Sequence, residues 1–467
     1  MIATSCWCPT RWRRLTDLRI RGDGTAMQET IAAIATGAGA SGVGIVRLSG
    51  PRAVELVAEV VGLSVEQLGR EVRYAVARGK DGERLDDVLV FAMRAPRSFT
   101  GEDVAEIQGH GGAVNLSRLL RAVLERGARA AQPGEFSRRA FDNGKLDLLR
   151  AEGLLGVIEA GSERGWRIAQ AQLAGALGRG LEALEDRARK VLAEIEGALD
   201  FPEEALDEQS SRWLGAELGA LTSSCEALAR SYQAGSALRN GITVALVGAV
   251  NVGKSSLLNA FAGRPRALVS EQPGTTRDYV EAQVEWDGVQ VTLIDTAGWR
   301  ESGDVLERSG MELGKERAAE ADVVLVVSDG IAPWPVVEHA DRTLYVRSKA
   351  DQARPDESLT GCTESEALVT SALTGAGLRE GRQRVLELVG VAETVGEGEL
   401  LVTERQRSLA EGAARAFSTA QRLLASQPRE LVAYDIREGY KALMDMRGTA
   451  AEDQVVSEIF ARFCIGK

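Results

Sequence analysis

Residues 242–256 read ITVALVGAVNVGKSS, and PGTTRD (273–278) and DTAG (295–298) follow in that order. Gly248-x-x-x-x-Gly253-Lys254-Ser255 has the G-x-x-x-x-G-K-[ST] spacing of a phosphate-cradling loop. Ile242 to Val247 is a short apolar run ending in glycine, as a buried parallel strand would be. SSLLNAF (255–261) carries apolar residues at helical spacing. Strand, glycine-rich loop and helix start are what phosphate binding requires. Backbone N–H groups and a helix N-terminus face the anion, and glycine lets the backbone come close. The reading sets Asn251, Val252, Gly253, Lys254, Ser255 and Ser256 around the phosphates, in a parallel-sheet α/β domain.

The two later elements supply a metal and a switch. Asp295 follows the apolar strand VTLI; it can hold Mg²⁺ through water, while Gly298, after Thr296 and Ala297, can offer its N–H to a γ-phosphate. Thr275 and Thr276 lie in a loop opened by Pro273-Gly274. A threonine hydroxyl there, assigned to Thr276, joins Ser255 on Mg²⁺ when a γ-phosphate is present. The loop is then ordered by triphosphate and released by hydrolysis.

Base choice is read further along. The apolar run Leu344-Tyr345-Val346 leads to Ser348-Lys349-Ala350-Asp351, which matches N-K-x-D except that serine stands where asparagine is usual. The Asp351 carboxylate can accept both the N1–H and the 2-amino hydrogens of guanine, and adenine offers neither. Thr370-Ser371-Ala372, with Leu373 next, suits a loop that backs the base. The expected nucleotide is GTP. Trp299 follows DTAG where a glutamine often orients the attacking water, so another group must do this; Glu301 and Glu307 are the candidate carboxylates.

Composition sets outer bounds. A chain of 467 residues has room for about three domains. A net charge of −12 argues against nucleic-acid binding through a general basic field and leaves room for a local basic patch. No apolar run approaches the ~18 residues of a membrane span. Cys6, Cys8, Cys225, Cys362 and Cys464 are scattered, which indicates a reducing cytosol and no disulfide framework. Two histidines, His110 and His339, make a His-based metal site improbable. Residues 1–26 differ from the rest: five arginines, two aspartates and no apolar core of a signal peptide. They read as an extension, disordered or not translated, with the protein proper starting at Met27.

The expected organisation is multidomain α/β. Residues 27–147 mix strands (TIAAIAT, GVGIVRLSG, VLVFAMRA) with helices (PRAVELVAEVVGL, AVNLSRLLRAVLERG), as an α+β domain does. Residues 148–240 and 397–467 read as two halves of a helical bundle, broken near Asp200-Phe201-Pro202. The nucleotide-binding domain, 241–396, is inserted between them.

Together these blocks resemble the MnmE (TrmE) family of tRNA-modification GTPases, from about Thr30 to Lys467. Besides the nucleotide motifs, the resemblance rests on GVGIVRLSG (42–50), SFTGEDVAEIQGHGG (98–112), PGEFSRRAFDNGKLDLLRAE (133–152), DFPEE (200–204) and FCIGK (463–467). It implies a GTP hydrolase that works with the flavoprotein MnmG on tRNA. The two install an aminomethyl or carboxymethylaminomethyl group at C5 of the wobble uridine. It also implies a homodimer formed by a folate-binding-like N-terminal domain, no membrane association and a cytoplasmic location. The implied 5-formyltetrahydrofolate contacts are Arg47, Glu106, Lys145 and Lys467, and the family's C-terminal cysteine falls on Cys464. A buried structural thiol is the other reading of that cysteine. In the nucleotide domain the implied K⁺ ligands are Asn251, Ser270, Gln272 and Thr275, within a loop that also contains Glu271, Pro273 and Gly274. Glu307 is the implied catalytic carboxylate.

The sequence departs from the family in four places: Ala249-Val250 before Asn251, ATGAGASG (35–42) after the first strand, Ser348, and Leu373 where a basic residue is common. Two rival readings share the nucleotide motifs. One is a ribosome-assembly GTPase; the other is a GTP-gated dimerising scaffold.

Overall fold

The computed structural model describes residues 29–37, 39–200, 207–263, 280–295, 319–331, 334, 342–352, 367–391, 397–449 and 453–466. The chain forms two compact units, one of residues 1–146 with 452–467 and one of 147–451.

The first unit is built on a six-stranded sheet of order β3-β4-β5-β2-β1-β6. Its strands are β1 (Ile31–Ile34), β2 (Gly44–Ser49), β3 (Arg73–Arg78), β4 (Arg84–Met93), β5 (Val104–Gly109) and β6 (Arg129–Ala130). All pairs are antiparallel except β1 with β6. Alternation decides which face is covered. Val88, Val90 and Ala92 of β4, with Val46 and Leu48 of β2, pack under helices α1 (Ala53–Val61) and α2 (Ala113–Leu124). The intervening residues Arg47, Phe91 and Glu106 share the other face, in register with one another. Helix α3 (Glu135–Asp142) completes this part.

The tail belongs to this unit, whereas the sequence reading keeps 397–467 together with the bundle. The reason is aromatic packing and one ion pair. In the tail helix 453–461, Phe460 packs against Phe141 of α3 with ring centroids 5.8 Å apart and planes tilted by 51°, and Asp453 pairs with Arg138 at 2.9 Å. Phe463 is buried beside Phe460.

The second unit joins helices to a second sheet. Helices α4 (Leu148–Glu159), α5 (Glu163–Leu173), α6 (Ala176–Asp200) and α7 (Glu208–Asn240) precede the sheet in sequence. Strands β7 (Ile242–Val247), β8 (Val280–Trp286), β9 (Val289–Asp295), β10 (Val323–Ser328), β11 (Thr343–Arg347) and β12 (Leu368–Val369) follow. Helices α8 (Lys254–Ala262) and α9 (Leu378–Leu388) accompany them. The chain then returns through α10 (Glu404–Leu423) and α11 (Arg429–Arg447); the tail helix is α12 (Asp453–Ala461). Sheet order is β12-β11-β10-β7-β9-β8, parallel except for the β8 edge. Every residue of β10 (VVLVVS) is buried, as a central parallel strand covered on both faces requires.

The bundle core follows helical periodicity. Leu181, Leu184, Ala188, Val191 and Ile195 of α6 face Leu214, Leu218, Leu221 and Cys225 of α7, with Ala410, Ala413, Phe417 and Ile436 from the returning helices. Burial pushes the Cys225 thiol up to about 12, so it packs as an apolar group. A buried ionic network closes the return. Glu152 of α4 accepts from Arg405 Nη2 at 2.9 Å and Gln406 Nε2 at 2.8 Å, and Arg405 also donates to the Asp445 and Met446 carbonyls.

Candidate nucleotide site

The parallel strands deliver their C-terminal ends to one crevice, where open α/β sheets hold ligands. Strand β7 leads into Gly248, which sits against β10. A Cβ there would stand 2.3 Å from the Val327 carbonyl oxygen, so only glycine fits. The loop then turns through Asn251 at φ 66° and Gly253 at φ 97° into the N-terminus of α8. Left-handed backbone is costly for asparagine less than for most residues, and it aims successive N–H groups into a concavity.

Lys254 is buried at the first position of α8, and its Nζ donates to the Gly248 carbonyl at 2.7 Å and the Ala249 carbonyl at 2.6 Å. Burial pulls its pKa below the ordinary lysine range, and the nearby Asp295 carboxylate opposes that shift. Ser255 Oγ donates to Asp295 Oδ2 at 2.5 Å, which joins the loop to the end of β9. A hydroxyl and a carboxylate converging beside a phosphate cradle are hard oxygen donors of the kind Mg²⁺ takes. Val252, Gly253, Lys254, Ser255 and Asp295 come together here, and Ser256 is exposed on the first turn of α8.

The residues expected to read the base meet the same loop. After β11, Ser348 Oγ donates to the Val252 carbonyl. Lys349, at φ 58°, donates from Nζ to the Asn251 carbonyl at 2.6 Å and to Asp329 Oδ2 at 3.1 Å. The Ala350 N–H bonds the Thr370 carbonyl at 3.0 Å. Asp351 accepts from the Ser371 hydroxyl, which in turn accepts the Thr374 N–H at 3.2 Å. Ser371 is fully buried, while Leu373, two residues on, is 83% exposed. The loop containing Ala372 is therefore anchored from within.

Asp329 was not singled out in the sequence. It lies one residue past β10, and only the fold shows its bond to Lys349. Ser270, Glu271, Gln272, Pro273, Gly274, Thr275, Thr276, Thr296, Ala297, Gly298, Glu301 and Glu307 lie outside the described residues, as does Lys467.

On the N-terminal sheet the structure joins two of the four folate candidates. Arg47 Nε donates to Glu106 Oε1 at 2.8 Å across the β2–β5 register. Arg47 Nη1 reaches the Gly466 carbonyl at 3.4 Å, which brings the chain's end to the same face. Gln108 Nε2 donates to the second Glu106 oxygen at 3.3 Å. Lys145 is exposed and its stem lies near Gly101. Cys464 is exposed, which overturns its reading as a buried structural thiol.

Comparison with known proteins places the chain beside one family of GTPases. The family described as GTP-binding protein TrmE N-terminus matches residues 30–145, and the MnmE helical domain matches residues 148–464. A tRNA modification GTPase MnmE of Synechococcus sp. (strain WH7803) is 40% identical over 94% of this chain and 98% of its own length. That of Parasynechococcus marenigrum (strain WH8102) is 42% identical over 94% and 99%. That of Xanthomonas campestris pv. campestris (strain 8004) is 38% identical over 95% and 100%.

Proposed function

This chain belongs to the TrmE (MnmE) family of tRNA-modification GTPases, and from that premise we propose that it hydrolyses GTP in the modification of tRNA. One observation carries the reading: Lys254, the Ser255–Asp295 pair and the Asp351–Ser371 pair stand at the same ends of one sheet. They are the parts that phosphate, metal and guanine recognition need.

The chemistry of hydrolysis is positioning and charge. The N–H groups of the loop and Lys254 hold the β- and γ-phosphates. When GTP enters, the Lys254 ammonium exchanges two backbone carbonyls for phosphate oxygens, a charge-assisted bond in place of neutral ones. Ser255 and Thr276 would hold Mg²⁺, which when bound would offset charge on the phosphate oxygens. Asp351 accepts the N1–H and 2-amino hydrogens of guanine. Trp299 cannot orient water, so Glu307 takes that role. Asn251, Ser270, Gln272 and Thr275 would hold a K⁺, which when bound would supply the positive charge that an arginine supplies elsewhere.

The finer reading completes the proposal. The protein is a cytoplasmic homodimer that acts with the flavoprotein MnmG on the wobble uridine of tRNA. Arg47, Glu106, Lys145 and Lys467 hold 5-formyltetrahydrofolate. A carboxylate suits the N–H-bearing edge of a pterin, and cations suit the glutamate tail; the Arg47–Glu106 pair presents one of each on one face. The test is nucleoside analysis of tRNA from cells with and without the gene, with GTPase activity measured on the purified chain. Loss of the C5-aminomethyl-type nucleosides supports the proposal. GTP turnover with unchanged tRNA nucleosides would leave a GTPase with another task.

A further inference from the structure

The serine at position 348 stands where an asparagine side chain would carry two N–H donors and a carbonyl; a serine hydroxyl carries one proton. Where that proton goes decides what the position can read. Ser348 is 5% exposed, and its hydroxyl donates to the Val252 carbonyl of the phosphate loop. A second carbonyl, that of Ser328, faces it at 3.3 Å. The Ser348 backbone N–H is bonded to the same Ser328 carbonyl at 2.8 Å. Both donors of the residue are therefore directed at protein carbonyls, and lone pairs are what remains. Guanine presents N7 and O6 on the edge that Asp351 does not take, and both are acceptors. Lone pairs facing acceptors form no hydrogen bond.

We infer that Ser348 is a positioning residue that ties the base loop to the phosphate loop and leaves guanine N7 unread. Lys349 adds a parallel tie from the next position, through the Asn251 carbonyl at 2.6 Å. The two bonds pin consecutive phosphate-loop carbonyls, those of Asn251 and Val252, to consecutive residues of the base loop. Base selection then runs through the opposite edge of the purine, where Ser371 fixes Asp351. An asparagine could bond the same carbonyl and still hold a second N–H toward the base; this chain keeps the tie and gives up the base contact.

The inference rests on the guanine-nucleotide reading of the site. Its test is competition of GDP and 7-deaza-GDP against mant-GDP on the full chain. 7-Deaza-GDP differs from GDP in lacking the N7 acceptor. The wild type is expected to bind the two within about twofold of each other. Ser348→Asn should prefer GDP by about fivefold, the scale of one neutral hydrogen bond. Ser348→Ala leaves the Val252 carbonyl without that donor and should weaken both ligands equally, by about tenfold. Ser348→Thr, which keeps the hydroxyl, should restore both. A wild-type preference for GDP of fivefold or more overturns the inference, as does Ser348→Ala binding both ligands at wild-type strength. If the wild type fails to bind mant-GDP, the guanine-nucleotide reading itself falls and this inference with it. Binding of mant-GDP with a fivefold preference for GDP sinks this inference alone.

Discussion

Ser255 Oγ donates to Asp295 Oδ2 at 2.5 Å, so a hydroxyl from the first turn of one helix and a carboxylate from the end of a strand forty residues away point at one spot. The pair couples the phosphate loop to the end of β9. Both groups are oxygen donors, and the bond between them is one that a hard cation can replace with two better contacts.

Removal of that hydroxyl should therefore show in metal dependence. Ser255→Ala is expected to raise the Mg²⁺ concentration needed for half-maximal GTP hydrolysis by an order of magnitude or more, as loss of one ligand commonly does. Excess EDTA should stop hydrolysis by the wild type. A Mg²⁺ titration of turnover in both proteins checks this. Identical titration curves would take Ser255 out of the metal site.

Asp351 carries base identity. Asp351→Asn places an amide where the Ser371-held carboxylate stands. The amide NH₂ pairs with the C2 carbonyl of xanthine, and its oxygen still accepts N1–H. Preference should move from GTP to xanthosine triphosphate by at least about a hundredfold, because a site built for a hydrogen bond rejects a ligand that leaves it unpaired. Competition binding of the two nucleotides measures the shift. GTP preference retained in full would show that another group reads the base.

How much of this was legible depends on how local each signal is. Strand β7, its loop and helix α8 follow one another within about twenty residues, and their spacing shows in the sequence without help from the rest of the fold. Strand β5 was harder. Glu106 interrupts its apolar run, and only the register with Arg47, 59 residues earlier, explains a buried carboxylate there. Ser348 was visible as a departure, but its partner, a backbone carbonyl 96 residues away, leaves no mark on composition or periodicity. Asp329 carried no spacing signal at all. The tail's packing partner was not legible, because a helical pattern shows that a helix forms and does not show which neighbour buries it; Phe141 does.

Stability of the helical part should hinge on Glu152. It is 4% exposed and its charge is met by Arg405 and Gln406. Arg405→Met would strand that carboxylate, and breaking a buried pair costs about 3–5 kcal/mol. Adding Glu152→Leu should recover a large part, since removing both charges abolishes the desolvation cost. Urea denaturation of the single and double variants decides it. A double variant no more stable than Arg405→Met would show that the network does more than balance charge.

A pH dependence follows from His110. The Asp86 carboxylate, 2.7 Å from Nδ1, raises the His110 pKa above its ordinary 6.5 through hydrogen bonding and charge. Burial works to raise the pKa of Asp86, but hydrogen bonds from His110, Asn115 and the backbone outweigh it and hold it below its ordinary 3.8. A raised histidine contributes stability that is fully present below the unfolded value and is lost as pH rises through the folded one. A lowered aspartate contributes stability present above its unfolded value and lost as pH falls through the folded one. The His110–Asp86 contribution is thus greatest between about pH 4 and 6.5. Melting of the wild type and His110→Ala at pH 6 and pH 8 should show the larger gap at pH 6. A gap that is equal or larger at pH 8 contradicts the assignment.

The hydrolytic step separates a potassium-assisted GTPase from one that relies on a side chain alone. Trp299 offers no amide to orient water, and Asn251 is held at φ 66° by a loop whose carbonyl is tied to Lys349. A fixed Asn251 can ligate a cation of one size well. K⁺ suits a shell of carbonyl and amide oxygens that would leave long contacts around Na⁺, so turnover should be high in K⁺ and low in Na⁺ at matched ionic strength. Asn251→Ala should remove the difference between the salts. Glu307→Ala should lower turnover in K⁺ by roughly 10²–10⁴-fold with GTP binding nearly intact, the scale of a water-orienting carboxylate. Equal rates in the two salts would remove K⁺ from the mechanism. A larger loss from Glu301→Ala than from Glu307→Ala would move the water-orienting role to Glu301.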